Sequence, residues 1–225
     1  RDPEKLARLE AQIDGVRTAS ADVTDVAALK AAVDLLVEKS GPCDLLITCA
    51  GAAHPGYFLE LGDQVFRDQM ELDYFGTLNA IKAVLPSMVE RGSGTVVGVS
   101  SVAGLIGVFG YSAYGASKFA VRGLLESLRA EMRSHGVKVL CAYPPDTDTP
   151  GFETENLLKP RETAAISAGI KLRTADDVAT SIVKGIEKQQ VAITTDLQSA
   201  VLVRIAGLLR PMLDAAMARS AREAK

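Results

Sequence analysis

Short apolar runs alternate with longer amphipathic segments along the chain. The apolar runs predict β-strands and the amphipathic segments predict α-helices. The predicted strands span residues 16–23, 45–47, 95–99, 137–142 and 191–194. The predicted helices span residues 3–13, 24–40, 62–90, 113–134, 174–189 and 197–218. Pro86 is expected to interrupt the third helix.

Residues typical of helix ends support these boundaries. Pro3 follows Asp2 at the start of the first helix, where the missing N–H of proline costs nothing. Thr24 and Asp25 are good N-caps for the second helix, and Gly41-Pro42 closes it.

The order of the elements predicts the fold class. Strands that are apolar on both faces, separated by helices of ten or more residues, indicate a parallel sheet covered on both sides. We therefore expect an α/β fold with a doubly wound parallel sheet of the Rossmann type, forming a single domain over residues 1–225. Residues 147–173 have turn signals and weak periodicity and are expected to form a mobile substrate loop or lid.

Composition and charge exclude several classes of protein. The 225 residues are 48% hydrophobic and 24% charged, which is ordinary for a globular domain. Lys and Arg number 25 and Asp and Glu number 28, spread without long blocks, so no nucleic-acid partner is predicted. The three scattered Cys indicate a reducing, cytoplasmic location, and with two His no metal site is predicted.

The polar residues that could carry chemistry lie where predicted strands end, which is where open parallel sheets bind ligands. Tyr114 and Lys118 are four residues apart and share one face of a predicted helix. A nearby ammonium lowers the pKa of a phenol and makes it a usable acid or base near neutral pH. Ser101, after the preceding strand, could hydrogen-bond and orient the reacting oxygen. The plainer alternative is an ordinary exposed Tyr–Lys pair.

With Ser101 thirteen residues before Tyr114, and with Asp22-Val23, Ala50-Gly51 and a Pro-led loop ending in Thr149, the chain resembles the short-chain dehydrogenase/reductase family over essentially its whole length. The resemblance implies that Ser101 orients a carbonyl, that Tyr114 donates a proton and that Lys118 lowers its pKa and holds the nicotinamide ribose. It also implies a set of cofactor contacts. These are Asp22 and Val23 at the adenine, and Ala50, Gly51, Pro144, Thr147 and Thr149 near the rest of the cofactor.

Two further positions bear on the cofactor and the catalytic set. Arg1 stands where members that use NADP place a basic residue against the 2′-phosphate, so NADPH is the expected cofactor, although a solvated terminal Arg is equally compatible. Asp73 stands where the family has a catalytic Asn, and a misaligned surface acid is the alternative. The family's Gly-rich phosphate loop is absent, so the first strand–helix–strand unit is expected to precede Arg1 in the working protein.

A longer stretch narrows the expected substrate. Residues 143–152, with Pro145 where most relatives have Gly, resemble the corresponding loop of 3-ketodihydrosphingosine reductases. This implies NADPH-dependent reduction of a long-chain keto-sphingoid base. Other apolar or acyl-chain carbonyls, such as 3-oxoacyl thioesters, retinoids or steroids, stay open, as does a non-catalytic scaffolding relative.

Residues 197–219 are expected to form a largely apolar C-terminal helix. Arg204 and Arg210 interrupt it, so a transmembrane span is not predicted. Peripheral contact with the cytoplasmic face of a membrane, a wall of an apolar pocket and a packing helix between subunits are the open alternatives. The resemblance implies a homo-oligomer.

Overall fold

The computed structural model describes residues 2–223, although beyond residue 208 it describes only some of the side chains. The helices are α1 Pro3–Gln12, α2 Val26–Ser40, α3 Asp63–Gln69, α4 Gly76–Arg91, α5 Ser112–Met132, α6 Pro150–Asn156, α7 Arg161–Ala168, α8 Ala175–Glu187 and α9 Leu197–Glu223. The strands are β1 Leu45–Thr48, β2 Gly94–Val99, β3 Val137–Ala142, β4 Thr147–Asp148, β5 Arg173–Thr174 and β6 Ala192–Ile193.

The main sheet is parallel, as predicted, with the strand order β1-β2-β3-β6. Its register pairs Leu46 with Val96 and Val97 with Leu140. The short strands β4 and β5 form a separate parallel pair. The carboxyl ends of β1, β2 and β3 therefore meet at one edge of the main sheet.

Side chains alternate between the two faces of each central strand. Those on both faces are buried, each set against a different group of helices. Val96 and Val139 belong to the core cluster shared with α4 and α5. Their neighbours Val97 and Leu140 belong to a second cluster, which includes Val178 of α8. Burying each such side chain stabilises the fold by about 1.5–3 kcal/mol. The doubly wound arrangement predicted from the sequence is confirmed.

The predicted strand at 16–23 is wrong. The backbone there forms no ladder, and a run of apolar residues becomes a strand only where a neighbouring strand satisfies its N–H and C=O groups. Val23 instead packs beside Gly76 at the start of α4, and its carbonyl accepts a hydrogen bond from Asn79 Nδ2 at 3.0 Å.

The predicted interruption at Pro86 is also wrong. Pro86 lies inside α4, which continues to Arg91 because Val84 and Met88 on either side of it are buried. The irregular turn lies earlier, where a π-helical segment, Met70–Phe75, joins α3 to α4. Such segments are frequent at functional sites.

The predicted lid contains more regular structure than its weak periodicity indicated. It holds β4, α6, α7 and β5, and its helices of seven and eight residues are too short to show a helical period. Thr149 caps α6 by accepting a hydrogen bond from the Phe152 N–H at 3.2 Å. Its mobility stays a prediction.

Helix α9 runs for 27 residues and includes Pro211. Within residues 2–223, no helix combines the length and the apolar character that crossing a bilayer requires.

Candidate active site

A cavity of about 660 Å³ opens at the carboxyl edge of the main sheet. Its walls come from the loops after β1, β2 and β3, from the first turns of α5 and from the segment 147–173. Ser101, Tyr114 and Lys118 all line it, so the structure brings the three predicted catalytic side chains together.

Ser101 and Tyr114 are fixed by the elements that carry them. Ser101 follows β2 and caps a short 3₁₀ turn, accepting a hydrogen bond from the Ala103 N–H at 3.1 Å. Tyr114 lies in the first turn of α5, and its phenol is hydrogen-bonded to the Ser101 side chain. A substrate oxygen placed between the two hydroxyls would meet both donors.

Lys118 lies one turn beyond Tyr114 and is almost fully buried, with 7% of its side chain exposed. Its ammonium is 5.5 Å from the centre of the Tyr114 ring and donates to the Val99 carbonyl at 3.3 Å. It lies 3.6 Å from Asp73 Oδ1. The i to i+4 spacing therefore does place both side chains on one face of the helix.

The pKa of Tyr114 moves opposite to the sequence prediction. Burial, which removes the phenolate from water, raises the pKa of Tyr114 above its usual value, and the hydrogen bond from Ser101 only partly offsets this. The negative charge of Asp73 also raises the pKa of Tyr114. The Lys118 ammonium, which pairs with the Asp73 carboxylate, is not among the main influences on the pKa of Tyr114. The phenol therefore keeps its proton at neutral pH.

Asp73 lies in the π-helical segment with no exposed surface. Its carboxylate accepts hydrogen bonds from Ser117 Oγ at 2.6 Å and from the Ala52 N–H at 3.3 Å, besides pairing with Lys118. Burial raises the pKa of Asp73, while Lys118 and these hydrogen bonds act in the opposite direction. The structure thus places Asp73 behind Lys118, where it orients the ammonium.

Position 51 requires a glycine, because the side chains of Asp73 and Lys118 come close to the backbone there. A β-carbon on Gly51 would lie 2.7 Å from Asp73 Oδ1 and 3.0 Å from Lys118 Nζ. The neighbouring pair would have to move to admit any other residue. The small size predicted to admit the cofactor here also makes room for the Lys118–Asp73 pair.

The predicted cofactor residues are divided between the cavity and other places. Gly51, Pro144, Thr147 and Thr149 line the same cavity as the catalytic residues. The other predicted positions are Ala50, Asp22, Val23 and Arg1. Ala50 directly precedes Gly51 and is exposed, while Asp22 and Val23 lie outside the cavity and Arg1 lies outside the described residues.

Asp22 has a local role, because its Oδ1 accepts hydrogen bonds from the Thr24 N–H at 3.0 Å and from Thr24 Oγ1 at 2.8 Å. In this turn the aspartate side chain bonds the residue two positions further along the chain. The adenine contact inferred from the resemblance stays a prediction.

No role was predicted for Ser117, Tyr111 or Glu155, although all three belong to the site. Ser117 is three residues after Tyr114, a spacing that could have marked it. The Tyr111 hydroxyl donates to Glu155 Oε1, and both residues line the cavity. They are 44 residues apart, and no local pattern in the sequence pairs them.

Comparison with known proteins adds to this geometry. The family model described as short chain dehydrogenase matches residues 1–159. A 3-ketodihydrosphingosine reductase from Dictyostelium discoideum is 46% identical over 196 residues, which are 85% of this chain and 59% of that protein. The chain spans about half the length of the curated relatives it matches.

Solved structures share the fold. A short-chain dehydrogenase from Streptomyces avermitilis superimposes with a TM-score of 0.78 at 28% identity, covering 97% of this chain and 83% of that one. ElxO, solved with NADP bound, superimposes with a TM-score of 0.74 at 25% identity, covering 86% of this chain and 83% of its own.

Proposed function

The chain belongs to the short-chain dehydrogenase family, and we propose that it reduces the 3-keto group of 3-ketodihydrosphingosine with NADPH. The convergence of Ser101, Tyr114 and Lys118 in one cavity carries the proposal for a reductase. The 46% identity to a 3-ketodihydrosphingosine reductase supports the substrate. The product is the corresponding alcohol, dihydrosphingosine.

The residues at the cavity fit the nicotinamide end of NADPH. Gly51 and Ala52 present backbone without bulk beside Lys118, and the Thr147 and Thr149 side chains line the same wall. The Lys118 ammonium has three N–H donors; it donates to the Val99 carbonyl and pairs with Asp73 Oδ1 at 3.6 Å. A further N–H suits a ribose hydroxyl. The bound ElxO structure, with NADP in the same fold, supports this assignment.

Side chains of this protein donate the proton and orient the reacting groups. NADPH, when bound, supplies the hydride that forms the new C–H bond at the carbonyl carbon. Tyr114 donates its proton to the carbonyl oxygen, and the raised pKa of Tyr114 keeps that proton in place beforehand. Ser101 orients the oxygen by a hydrogen bond, while Asp73 and Ser117 hold Lys118 beneath the ring.

The remainder of the cavity suits an alkyl chain. The apolar lining comes from the loop before α5, from the segment 147–173 and from α9, and its residues are Val108, Phe152, Ile166, Ile170 and Leu202. Burying methylene groups there contributes about 0.8 kcal/mol for each one removed from water. This supports a long-chain substrate over a small polar one.

Exposed apolar residues on α9 support the predictions about membrane contact and a homo-oligomer. Leu208 and Met212 are 84% and 70% exposed, and an apolar stripe of this kind can lie at a lipid surface or against a second copy of the chain. We propose peripheral contact with the cytoplasmic face of a membrane, which would bring the site close to an insoluble substrate. A homo-oligomer is the alternative.

Replacing the proton donor tests the catalytic assignment. Tyr114→Phe keeps the ring but removes the hydroxyl, so turnover of 3-ketodihydrosphingosine should fall by at least about a hundredfold. NADPH binding, measured by fluorescence titration, should stay within about threefold of the wild type, because the nicotinamide ribose is assigned to Lys118. Turnover close to that of the wild type in a folded Tyr114→Phe protein would contradict the assignment.

A further inference from the structure

A carboxylate next to the proposed proton donor is not used by the reaction as described. Glu155 lies on α6 and lines the cavity, with 15% of its side chain exposed. Its Oε1 accepts the hydroxyl hydrogen of Tyr111 and lies 3.2 Å from Lys159 Nζ. Among the described residues, Oε2 takes part in no hydrogen bond or ion pair.

The charges around Glu155 leave an excess of negative charge. Lys159 is the cation nearest to it, with 2% of its side chain exposed, and it lies 3.9 Å from Asp146 Oδ2 as well. Its ammonium faces the Phe152 ring at 4.1 Å and forms no hydrogen bond with either carboxylate. The carboxylates of Glu155 and Asp146, at a wall of the cavity, thus share the single ammonium of Lys159, which hydrogen-bonds neither of them. A second ammonium there would relieve the imbalance.

Glu155 is also tied to the proposed reaction centre by contacts. The Tyr111 ring lies 5.7 Å from the Tyr114 ring, centre to centre, and the Tyr111 hydroxyl bonds Glu155. Three cations line the cavity. Lys118 lies beside the Tyr114 ring but pairs with Asp73, while Lys171 and Arg173 come from the segment after α7. Asp146 also lines the cavity, but its charge acts less strongly on Tyr114 than that of Glu155. Glu155 is therefore the cavity carboxylate that these contacts connect to the proposed proton donor.

We propose that Glu155 determines specificity for a 2-amino ketone by accepting a hydrogen bond from the substrate ammonium through Oε2. This inference rests on the proposed function, because 3-ketodihydrosphingosine carries its amino group on the carbon next to the ketone. A largely buried carboxylate forms a strong hydrogen bond with a substrate ammonium. It forms none with an analogue that carries a hydrogen atom in place of the amino group. Selection for the amine is therefore local to this side chain.

A substrate pair tests the proposal with the full-length protein. We compare kcat/KM for 3-ketodihydrosphingosine with that for the matched hydroxy ketone that has hydrogen in place of the amino group. The wild type should prefer the amino ketone, and Glu155→Gln should lower the ratio of the two values by about tenfold to a hundredfold. Glu153→Gln, an exposed change on the same helix, should leave the ratio unaltered.

Additional measurements distinguish a failure of this inference from a folding defect and from a failure of the proposed function. If the loss of charge beside Lys159 unfolds Glu155→Gln, then Glu155→Asp, which keeps the charge but shortens its reach, should lower the ratio as well. An unchanged ratio in a folded Glu155 variant overturns the inference and leaves the proposed function intact. A wild type that fails to reduce the amino ketone, while binding NADPH, overturns the proposed function itself.

Discussion

At the scale of single residues, the proposed reaction depends on the proton that Tyr114 carries. The Ser101 hydrogen bond favours the phenolate, whereas burial and the Asp73 carboxylate favour the phenol, and the second pair of effects is larger. A neutral phenol with its proton in place is the form that ketone reduction needs. The reverse reaction, oxidation of the alcohol, needs the phenolate instead.

The raised pKa of Tyr114 makes the pH dependence of the two directions different. The amino group of 3-ketodihydrosphingosine would itself lose its proton in this range, so the test uses the matched hydroxy ketone without an amino group, and its alcohol. Below a raised pKa the phenol is protonated, so kcat/KM for reduction of this hydroxy ketone should stay level from about pH 6 to about pH 9. Alcohol oxidation should rise with pH over the same range. Initial rates followed by NADPH absorbance, with an enzyme-free blank at each pH, measure both. A tenfold fall in reduction per pH unit, beginning near neutrality, would contradict the raised pKa.

The sequence was sufficient to select the three residues proposed for catalysis but not their electrostatics. Spacing alone put Tyr114 and Lys118 on one helix face. The sign of the Tyr114 shift could not be predicted, since it depends on Asp73 and on burial, which the fold sets. Glu155 could not be selected either, because its partner Tyr111 is 44 residues away.

At the scale of elements, local capping chemistry was predictable and pairing was not. Asp25 caps α2 through its side chain, as predicted, and Asp2, just before the predicted start of α1, caps that helix in the same way. The apolar run at 16–23 was misassigned because forming a strand depends on a neighbour as well as on composition. Pro86 was misjudged because buried neighbours hold α4 together around it.

The cap of α8 offers a test at this scale. Thr174 Oγ1 accepts a hydrogen bond from the Asp177 N–H at 3.1 Å, and α8 buries Val178 and Ile182 against the sheet. Thr174→Ala leaves that N–H without its partner and should lower the free energy of unfolding by about 1 kcal/mol. Urea denaturation measures the change. Thr174→Ser retains the hydroxyl and should lose much less, and equal losses in the two variants would assign the effect to the lost methyl group.

At the scale of the whole molecule, the site is built from segments that are distant in the sequence. Residues 147–173 cross the carboxyl edge of the sheet and supply both the apolar wall and Glu155. One contact that ties this segment to the rest, the Tyr57 hydroxyl donating to Glu162, joins residues 105 positions apart. The parallel fold was predictable from element order, while the shape of this cavity was not.

The strand–helix–strand unit expected before Arg1, with its Gly-rich phosphate loop, stays a prediction. The chain spans about half the length of the curated relatives it matches, so their full activity is assigned to it only as a proposal.

Substrate selection tests the proposed function most directly. The purified full-length protein, supplied with NADPH, is assayed on 3-ketodihydrosphingosine and on a 3-oxoacyl thioester of equal chain length. Because the cavity combines an apolar wall with Glu155 near Tyr114, we predict that kcat/KM for the amino ketone is larger by at least about tenfold. Equal or faster turnover of the thioester would contradict the assignment of this protein as a keto-sphingoid reductase.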